Sequence, residues 1–368
     1  MSEQPQEQKK RVVGFAILPE KARKHITGDL LKAAAAVNIE VLAIDPSKPV
    51  AEQGNFDLIL QKCRDSGWRQ RLLHYLQHHP RTRLIDTFEA VQSLMARDSM
   101  LQPLADPVTL HQPSNDRLSS GTAERDTLSC AAPVQAALQE GCSEADMVQM
   151  LDHTQMRFPL LAKPYFTDGR QGSHGLALIQ NIEGLKRLVK GTGPPGVALP
   201  VMLQPFIEHG GCLFKVYVMG CSVVVVHRPS LQVPPEDEDI TAERKGIQIM
   251  TRVSAFDSKS PMGCDLVKGP PNWLLEQLAA TLRSRLHLQL INFDLVRPTE
   301  NNAQGSKGAD FLVVDINYFP GYEKLPNHAD LMVGFLQSQL DPEQDQQPVL
   351  RRHLSSCLEP PDNASDSE

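Results

Sequence analysis

Oxygen-bearing side chains in two apolar segments near the carboxyl end are the clearest sign of chemistry in this sequence. Asp294 lies in LINFDLVR, and Asp315 and Asn317 lie in VVDINYFPGYE. Asp315 and Asn317 are two residues apart, so on a β-strand both side chains point to the same face. Mg²⁺ takes a few carboxylate or amide oxygens from a protein and completes its coordination with phosphates and water. A strand-end cap or turn also fits an isolated D-x-N, but the apolar flanks favour a magnesium site, because a buried carboxylate needs a partner.

A lysine in an apolar run is the second candidate. Lys163 lies in LLAKP and is followed by the glycine-rich loop 168–175, DGRQGSHG. A lysine inside an apolar strand is costly unless it meets an anion, and a glycine-rich loop can bring backbone N–H groups against phosphate. The loop lacks the Lys-Ser/Thr ending of a P-loop. A nucleotide-phosphate site and a flexible hairpin both remain open at this point.

The third candidate is the segment QPFIEHGGCLFK, from Gln204 to Lys215. An extended backbone between two lobes could offer N–H and C=O groups to an adenine base, with Lys215 projecting from the next strand. An ordinary hairpin with a surface lysine is the alternative.

Strands that alternate with helices must position these residues. The pattern from 11 to 102 predicts an N-terminal α/β lobe with a mainly parallel sheet. Strands predicted at 201–206, 213–219 and 222–228 are spaced as in an antiparallel sheet, with 222–226 apolar enough for a central strand. The remaining predicted units are a mobile insertion at 103–141, a central lobe at 142–212, a C-terminal lobe with the metal site at 213–340, and a disordered tail at 341–368.

Composition and charge restrict the class of protein. The net charge of -7 over 368 residues argues against a general nucleic-acid binder. Residues 1–100 carry 15 Lys and Arg against 12 Asp and Glu, so this part is positive and the rest is strongly negative. A basic patch in the first lobe would suit a small polyanion. The seven cysteines show no zinc or disulfide pattern, and no apolar run or signal-like start predicts a membrane or secreted protein.

Several ordered motifs resemble the inositol-tetrakisphosphate 1-kinase family, also called the inositol 1,3,4-trisphosphate 5/6-kinases. They are FPLLAKP, SHG, LQPFIEHGGCLFKVYV, RPSL, LINFDLVR and VVDINYFPGYEKLP. The resemblance covers residues 12–335 outside the insertion, and ARDSMLQ, HGG and INYFPGY are similar to the plant and algal branch.

The resemblance implies an ATP-grasp fold of the α/β class, with α+β lobes and ATP between the central and C-terminal lobes. It implies transfer of the γ-phosphate of ATP to an inositol tris-, tetrakis- or hexakisphosphate, with two Mg²⁺ ions. The implied metal ligands are Asp294, Asp315 and Asn317. The implied nucleotide contacts are Arg97, Lys163, Gln204, Phe206, Ile207, Glu208, Lys215, Ser230 and Ser254. The implied inositol phosphate contacts are Lys21, Lys62, His174, Lys215, Arg228, Asn317 and Gly321, with Lys24 as the alternative to Lys21.

Within this resemblance, Lys163, Lys215 and His174 are the expected catalytic residues. The competing hypotheses are an ATP-grasp carboxylate-amine ligase and a non-catalytic inositol phosphate binding protein. We further expect a cytoplasmic monomer, with nuclear presence left open, that binds no nucleic acid and no membrane.

Overall fold

The computed structural model describes residues 10–113, 126–167, 175–193, 196–230, 246–250, 267–299, 305 and 307–341. Three sheets form the frame of the described chain. Each sheet belongs to one lobe, and the candidate residues lie where the lobes meet.

The N-terminal lobe is a parallel four-stranded sheet, as predicted. Its strand order is β2-β1-β3-β4. Its strands are β1 (Arg11–Ala16), β2 (Ile39–Ile44), β3 (Leu58–Gln61) and β4 (Arg83–Ile85). Its helices, with α5 leading out of the lobe, are α1 (Pro19–His25), α2 (Gly28–Ala35), α3 (Ser66–His78), α4 (Phe88–Gln92) and α5 (Arg97–Met100).

Local chemistry explains where these helices begin. The side chains of Thr27, Asp65 and Thr87 accept backbone N–H groups at the first turns of α2, α3 and α4. Such caps satisfy N–H groups that have no partner within the helix.

The strand order also creates a crevice. The chain runs from β1 to β2 on one side and then to β3 on the other side of β1. In open parallel sheets, ligands bind outside the carboxyl ends of the strands at such a switch point. Here α1 follows β1 and Lys62 directly follows β3.

The central lobe is an antiparallel five-stranded sheet in the order β13-β9-β8-β10-β7. The strands are β7 (Ala136–Leu138), β8 (Leu160–Pro164), β9 (Leu176–Ile179), β10 (Val201–Pro205) and β13 (Ile247–Met250). Two helices, α6 (Glu144–Thr154) and α7 (Ile182–Val189), pack on it, and Asn181 caps α7 as its position suggests.

The C-terminal lobe is a six-stranded sheet in the order β12-β11-β14-β15-β6-β5. Its strands are β5 (Val108–His111), β6 (Thr127–Ala131), β11 (Cys212–Met219), β12 (Ser222–Pro229), β14 (Leu290–Val296) and β15 (Phe311–Tyr318). Its helices are α8 (Asn272–Leu286) and α9 (His328–Leu340). Elsewhere in the chain, short 3-10 turns occur at Val50–Glu52 in the N-terminal lobe, at Gln102–Leu104 before β5, and at Tyr322–Lys324 after β15.

The N-terminal and C-terminal lobes share one hydrophobic core. Phe15 and Leu60 of the first lobe belong to the same buried cluster as Phe293, Ile316 and Phe319 of the last. The crevice at the end of the parallel sheet is therefore held against the strands that carry the candidate metal ligands.

Some predicted boundaries differ from the structure. The segment 103–141, expected to be a mobile insertion, supplies β5 and β6 to the C-terminal sheet and β7 to the central sheet. β5 and β6 are short and half-exposed, so they lack the apolar run that marks a core strand. Likewise β13, within the predicted C-terminal unit 213–340, pairs with β9 of the central sheet.

The strands predicted around 201–228 also divide differently. β11 and β12 are antiparallel neighbours, as predicted, but β10 belongs to the central sheet. β12 ends the described six-stranded order instead of lying inside it. Its valines are half-buried against the core cluster, which explains an apolar sequence at a sheet edge.

Candidate active site

Three neighbouring strands of the C-terminal sheet align the predicted metal ligands with a lysine. Lys215 on β11 lies opposite Asp294 on β14, and Asp294 lies opposite Asp315 on β15. Residues directly opposite each other in a sheet share a face. Lys215 Nζ donates to Asp294 Oδ1 at 2.7 Å, and Asn317 Nδ2 donates to Asp315 Oδ2 at 2.9 Å. The predicted shared face of Asp315 and Asn317 is confirmed.

A β-bulge shapes β15 beside this ladder. Asp294 pairs with Asp315, but Leu295 pairs with Val313, so Val314 is the extra residue. Lys163, only 5% exposed on β8, donates from Nζ to the Val314 carbonyl at 2.9 Å. Bulges redirect groups near functional sites, and this one offers a carbonyl to the buried lysine of the neighbouring lobe.

Arg97 binds the Asp315 carboxylate as well as the backbone of the central lobe. Its Nη1 lies 2.6 Å from Asp315 Oδ1, and its Nε donates to the Pro164 carbonyl at 2.9 Å. Its backbone N–H donates to the Tyr165 carbonyl at 3.0 Å. Arg97 was predicted as a nucleotide contact, and the structure places it against Asp315, the predicted metal ligand, and close to Lys163. Arg97 thus fixes the end of β8 relative to β15.

The charges at this point influence one another. Burial raises the pKa of the Asp294 carboxyl, and the charge of Lys215 opposes that rise only in part. Burial would also raise the pKa of Asp315, but Arg97 and Lys163 outweigh it and the pKa is lowered. Burial, followed by the charge of Arg97, lowers the pKa of Lys163 to about 8. Three basic side chains thus surround two carboxylates, which favours a highly charged anion bound together with a cation.

The donor set fits magnesium better than a metal that needs several strong protein ligands. In the described part of the chain, no group of three or more His, Cys, Asp or Glu side chains could hold a metal. Two opposed carboxylates and one amide are few ligands, but Mg²⁺ commonly binds through one or two carboxylates plus substrate phosphates. The three predicted ligands meet that requirement together.

The predicted adenine hinge connects the central and C-terminal sheets. Gln204 is buried, and its Nε2 donates to Gln135 Oε1 at 3.0 Å. Phe206 packs in an apolar cluster with central-lobe residues, whereas Ile207 packs in a cluster with C-terminal residues. Glu208 is exposed, and its carbonyl accepts the Thr299 N–H at 2.9 Å. The hinge therefore anchors one buried side chain in each lobe.

Ser230 lies beside the predicted hinge. Ser230 is buried just after β12, and its N–H donates to Gly211 O at 2.8 Å. This contact brings Ser230 beside the hinge, as its predicted role requires. His174 and Ser254 lie outside the described residues.

Basic side chains gather at the crevice of the N-terminal lobe. Lys62 Nζ lies 3.3 Å from His25 Nε2 and 5.6 Å from the centroid of the Phe319 ring. Burial, followed by the charges of Lys62, Lys24 and Lys21, lowers the pKa of His25 to about 3. His25 is therefore neutral, and its Nε2 can accept a hydrogen bond from the Lys62 ammonium. Lys21 and Lys24 are both exposed on α1.

Burial also acts on Lys62 itself. Together with Lys21 and Arg64 it lowers the pKa of Lys62 to about 8, against an opposing effect of Glu323. A buried ammonium that several other cations surround is poorly stabilised within the protein alone. An anionic ligand would relieve that repulsion.

Four residues that contact or neighbour the predicted ones were not themselves predicted, namely Tyr217, Asn292, His25 and Glu323. Arg228 Nη2 donates to the Tyr217 hydroxyl at 3.2 Å, and Tyr217 lies opposite Asn292 on β14. A side chain on Gly321 would collide with the Glu323 carboxylate. Tyr217 and Asn292 could have been found from the sequence, because each is two residues from Lys215 or Asp294 on the same strand. His25 and Glu323 had no such signal.

Comparison with known proteins shows the family to which this chain belongs. Residues 12–91 match the inositol 1,3,4-trisphosphate 5/6-kinase pre-ATP-grasp domain. Residues 124–338 match the inositol 1,3,4-trisphosphate 5/6-kinase ATP-grasp domain. The chain belongs to the inositol 1,3,4-trisphosphate 5/6-kinase family. The family and fold predicted from the sequence motifs are thereby confirmed.

Members of this family in plants are similar over most of their length. Inositol-tetrakisphosphate 1-kinase 2 of Glycine max is 35% identical over 330 residues, which are 88% of this chain and 93% of the relative. Inositol-tetrakisphosphate 1-kinase 1 of Zea mays is 32% identical over 332 residues, 88% of this chain and 87% of the relative.

A solved structure with the same fold comes from outside the family. The structure of D-cycloserine synthetase DcsG covers 89% of this chain and 99% of its own, with a TM-score of 0.50 and 14% sequence identity. At that identity the likeness concerns the fold alone. In the part of the chain that the structure describes, no helix is long and apolar enough to cross a membrane.

Proposed function

We propose that this member of the inositol 1,3,4-trisphosphate 5/6-kinase family transfers the γ-phosphate of ATP to a hydroxyl or phosphate of an inositol tris-, tetrakis- or hexakisphosphate. One observation supports this proposal above the others. Lys62 lies over Phe319, which is two residues beyond the metal ligand Asn317. A basic crevice for a polyanion therefore adjoins the carboxylates that would hold a metal–nucleotide complex.

The nucleotide would lie between the central and C-terminal lobes. Its base would meet the hinge from Gln204 to Lys215, with Ser230 and Ser254 close to it. Lys163 and Arg97 approach the carboxylates from the central-lobe side. Their charges would hold the phosphates of ATP, because charge-assisted hydrogen bonds are among the strong ones.

Asp294, Asp315 and Asn317 would hold two Mg²⁺ ions. Bound magnesium would supply positive charge that offsets the charge developing on the phosphates during transfer. Arg97 and Lys215 bind the two carboxylates at 2.6 and 2.7 Å. These basic groups compensate the carboxylates before any cation binds, and they must yield part of that contact to the metal.

The acceptor would lie in the crevice of the N-terminal lobe. Lys21, Lys62 and His174 would bind its phosphates from one side, and Lys215, Arg228, Asn317 and Gly321 from the other. Phosphoryl transfer requires mainly positioning and charge stabilisation. A dedicated general base is therefore unnecessary, and Asp315 serves the metal instead.

Incubation with γ-labelled ATP and a panel of inositol tris- to hexakisphosphates tests the proposal. We expect label in a more highly phosphorylated inositol, and no transfer by Asp315→Ala. ADP release that requires an acid and an amine would instead support a carboxylate-amine ligase. Binding of the inositol phosphate without turnover would support a non-catalytic binding protein. The cytoplasmic location and the monomeric state stay predictions from the sequence.

A further inference from the structure

A buried hydrogen-bond network joins the parallel sheet of the N-terminal lobe to both strands that carry the metal ligands. It consists of Gln61, Asp86 and Tyr318, which are 1%, 4% and 5% exposed. None of the three was a predicted site residue. Each lies at the end of a strand, directly beside a residue or strand of the proposed site.

Tyr318 is the centre of this network. It follows Asn317 at the end of β15, and its hydroxyl donates to the Gln61 carbonyl at 2.6 Å. The same hydroxyl accepts the Asp86 N–H at 3.0 Å. Gln61 ends β3 and is the residue before Lys62. One side chain therefore connects the neighbour of a metal ligand to the neighbour of a substrate-binding lysine.

Asp86 makes the second connection. Its carboxylate accepts the Gln289 N–H at 2.9 and 3.0 Å and the Leu290 N–H at 3.3 Å. These groups lie at the start of β14, which carries Asp294. Gln61 Nε2 donates to the Asp86 carbonyl at 3.0 Å and closes the network. Both metal-ligand strands are thus bound to the ends of β3 and β4.

The chemistry of these groups makes the connection rigid. A tyrosine hydroxyl can donate one hydrogen bond and accept others, and Tyr318 does both here. A buried polar group that loses its partner carries the full cost of its desolvation. Relative movement of the two lobes at this point would break several such bonds at once.

We infer that Tyr318 and Asp86 are positioning residues that fix Lys62 relative to Asn317, and so set the distance between the bound inositol phosphate and the transferred phosphate. The inference rests on the proposed function. Misplacement of a bound reactant by about 1 Å can cost about a hundredfold in rate. The hydrogen bonds of this network end beside both functional residues, at Gln61 before Lys62 and at Tyr318 after Asn317.

Tyr318→Phe removes the central hydroxyl and keeps the ring. Tyr322→Phe is the matched control, because the buried Tyr322 hydroxyl donates to Val218 O at 2.6 Å within the C-terminal lobe. We expect Tyr318→Phe to lower kcat for phosphate transfer about tenfold to a hundredfold while the dissociation constant of ATP stays within about twofold. Tyr322→Phe should change neither by more than about twofold, although both variants lower the unfolding temperature.

A double-mutant cycle separates positioning from general stabilisation. If Tyr318 acts by placing Lys62, Tyr318→Phe should lose most of its effect on kcat/KM in a Lys62→Ala background. Additive effects, or equal kcat for Tyr318→Phe and Tyr322→Phe, would overturn the positioning role and leave the proposed function intact. Absence of transfer by the wild-type protein would overturn both. Should Tyr318→Phe fail to fold, Asp86→Asn in the same two backgrounds decides between the same outcomes.

Discussion

Lys163 Nζ donates a hydrogen bond to the carbonyl of Val314 at 2.9 Å, across the boundary between the central and C-terminal sheets. Val314 is the extra residue of a bulge between the strands that carry Asp294 and Asp315, the predicted metal ligands. The contact places the ammonium next to Asp315, whose carboxylate also binds Arg97. Lys163 of one lobe and Asp315 of another are thereby held in one site.

Replacement of Lys163 by methionine tests its role in nucleotide binding. Lys163→Met keeps the apolar stem and removes the charge, so kcat/KM for ATP should fall about tenfold to a hundredfold. Steady-state kinetics with ATP varied measures this effect. Lys190→Met, at a helix end outside the site, is the control. Unchanged kcat/KM for ATP in Lys163→Met would contradict the placement of the nucleotide phosphates.

Asp315→Ala should abolish turnover without unfolding the protein. It removes one of two opposed carboxylates needed to hold the metal. Asn317→Ala should keep a small fraction of activity, because an amide ligand carries no charge. Asp152→Ala, which removes an exposed carboxylate on α6, should match the wild type. Circular dichroism checks folding, and turnover that persists in excess EDTA would refute the metal assignment.

The pH dependence of substrate use should report Lys62. Its pKa is lowered to about 8, so the ammonium is present below pH 8 and lost above it. Because a phosphate needs the charged form, kcat/KM for the inositol phosphate at saturating ATP should fall as the pH rises through about 8. Lys62→Arg should remove this fall, because a guanidinium stays protonated. Lys163 has a similar pKa of about 8, but the phosphates of saturating ATP would keep it charged. An identical alkaline limb in both proteins would show that another group titrates.

Of the two exposed lysines of α1, Lys21, or Lys24 in the alternative alignment, should affect the acceptor and not the nucleotide. Lys21→Ala is expected to raise KM for the inositol phosphate about tenfold to a hundredfold, since a charge-assisted hydrogen bond is worth about 1.5 to 3 kcal/mol. Lys24→Ala distinguishes the two possible alignments, and Lys32→Ala on α2 serves as the control. The measurement is steady-state kinetics with each substrate varied in turn. A rise in KM for ATP in both α1 variants would place the acceptor elsewhere.

The local parts of this site could be predicted from the sequence. The shared face of Asp315 and Asn317 follows from their spacing in an apolar strand, and the helix caps at Thr27 and Thr87 follow from residue type. The parallel N-terminal sheet follows from the alternation of strands and helices. In each case the relevant interactions lie within a few residues of one another.

The remaining parts depend on distant residues. The bulge at Val314 exists only in the pairing of β14 with β15, and its carbonyl partner comes from another lobe. The strands within 103–141 are short and half-exposed, and they become strands through pairing with β15 and β10. Tyr318 looked like part of a family motif, and its bonds to Gln61 and Asp86 became visible only in the folded chain.

We infer that the strands carrying Asp294 and Asp315 and the basic crevice of the N-terminal lobe act on one pair of substrates, ATP and an inositol phosphate. The most direct test is to follow ADP and phosphorylated inositol together, with the wild-type protein, ATP, Mg²⁺ and one inositol phosphate. We expect equal amounts of ADP and of an inositol bearing one further phosphate, with almost no ADP when the inositol phosphate is left out. ADP formed at the same rate without the inositol phosphate, or without a phosphorylated inositol product, would contradict it.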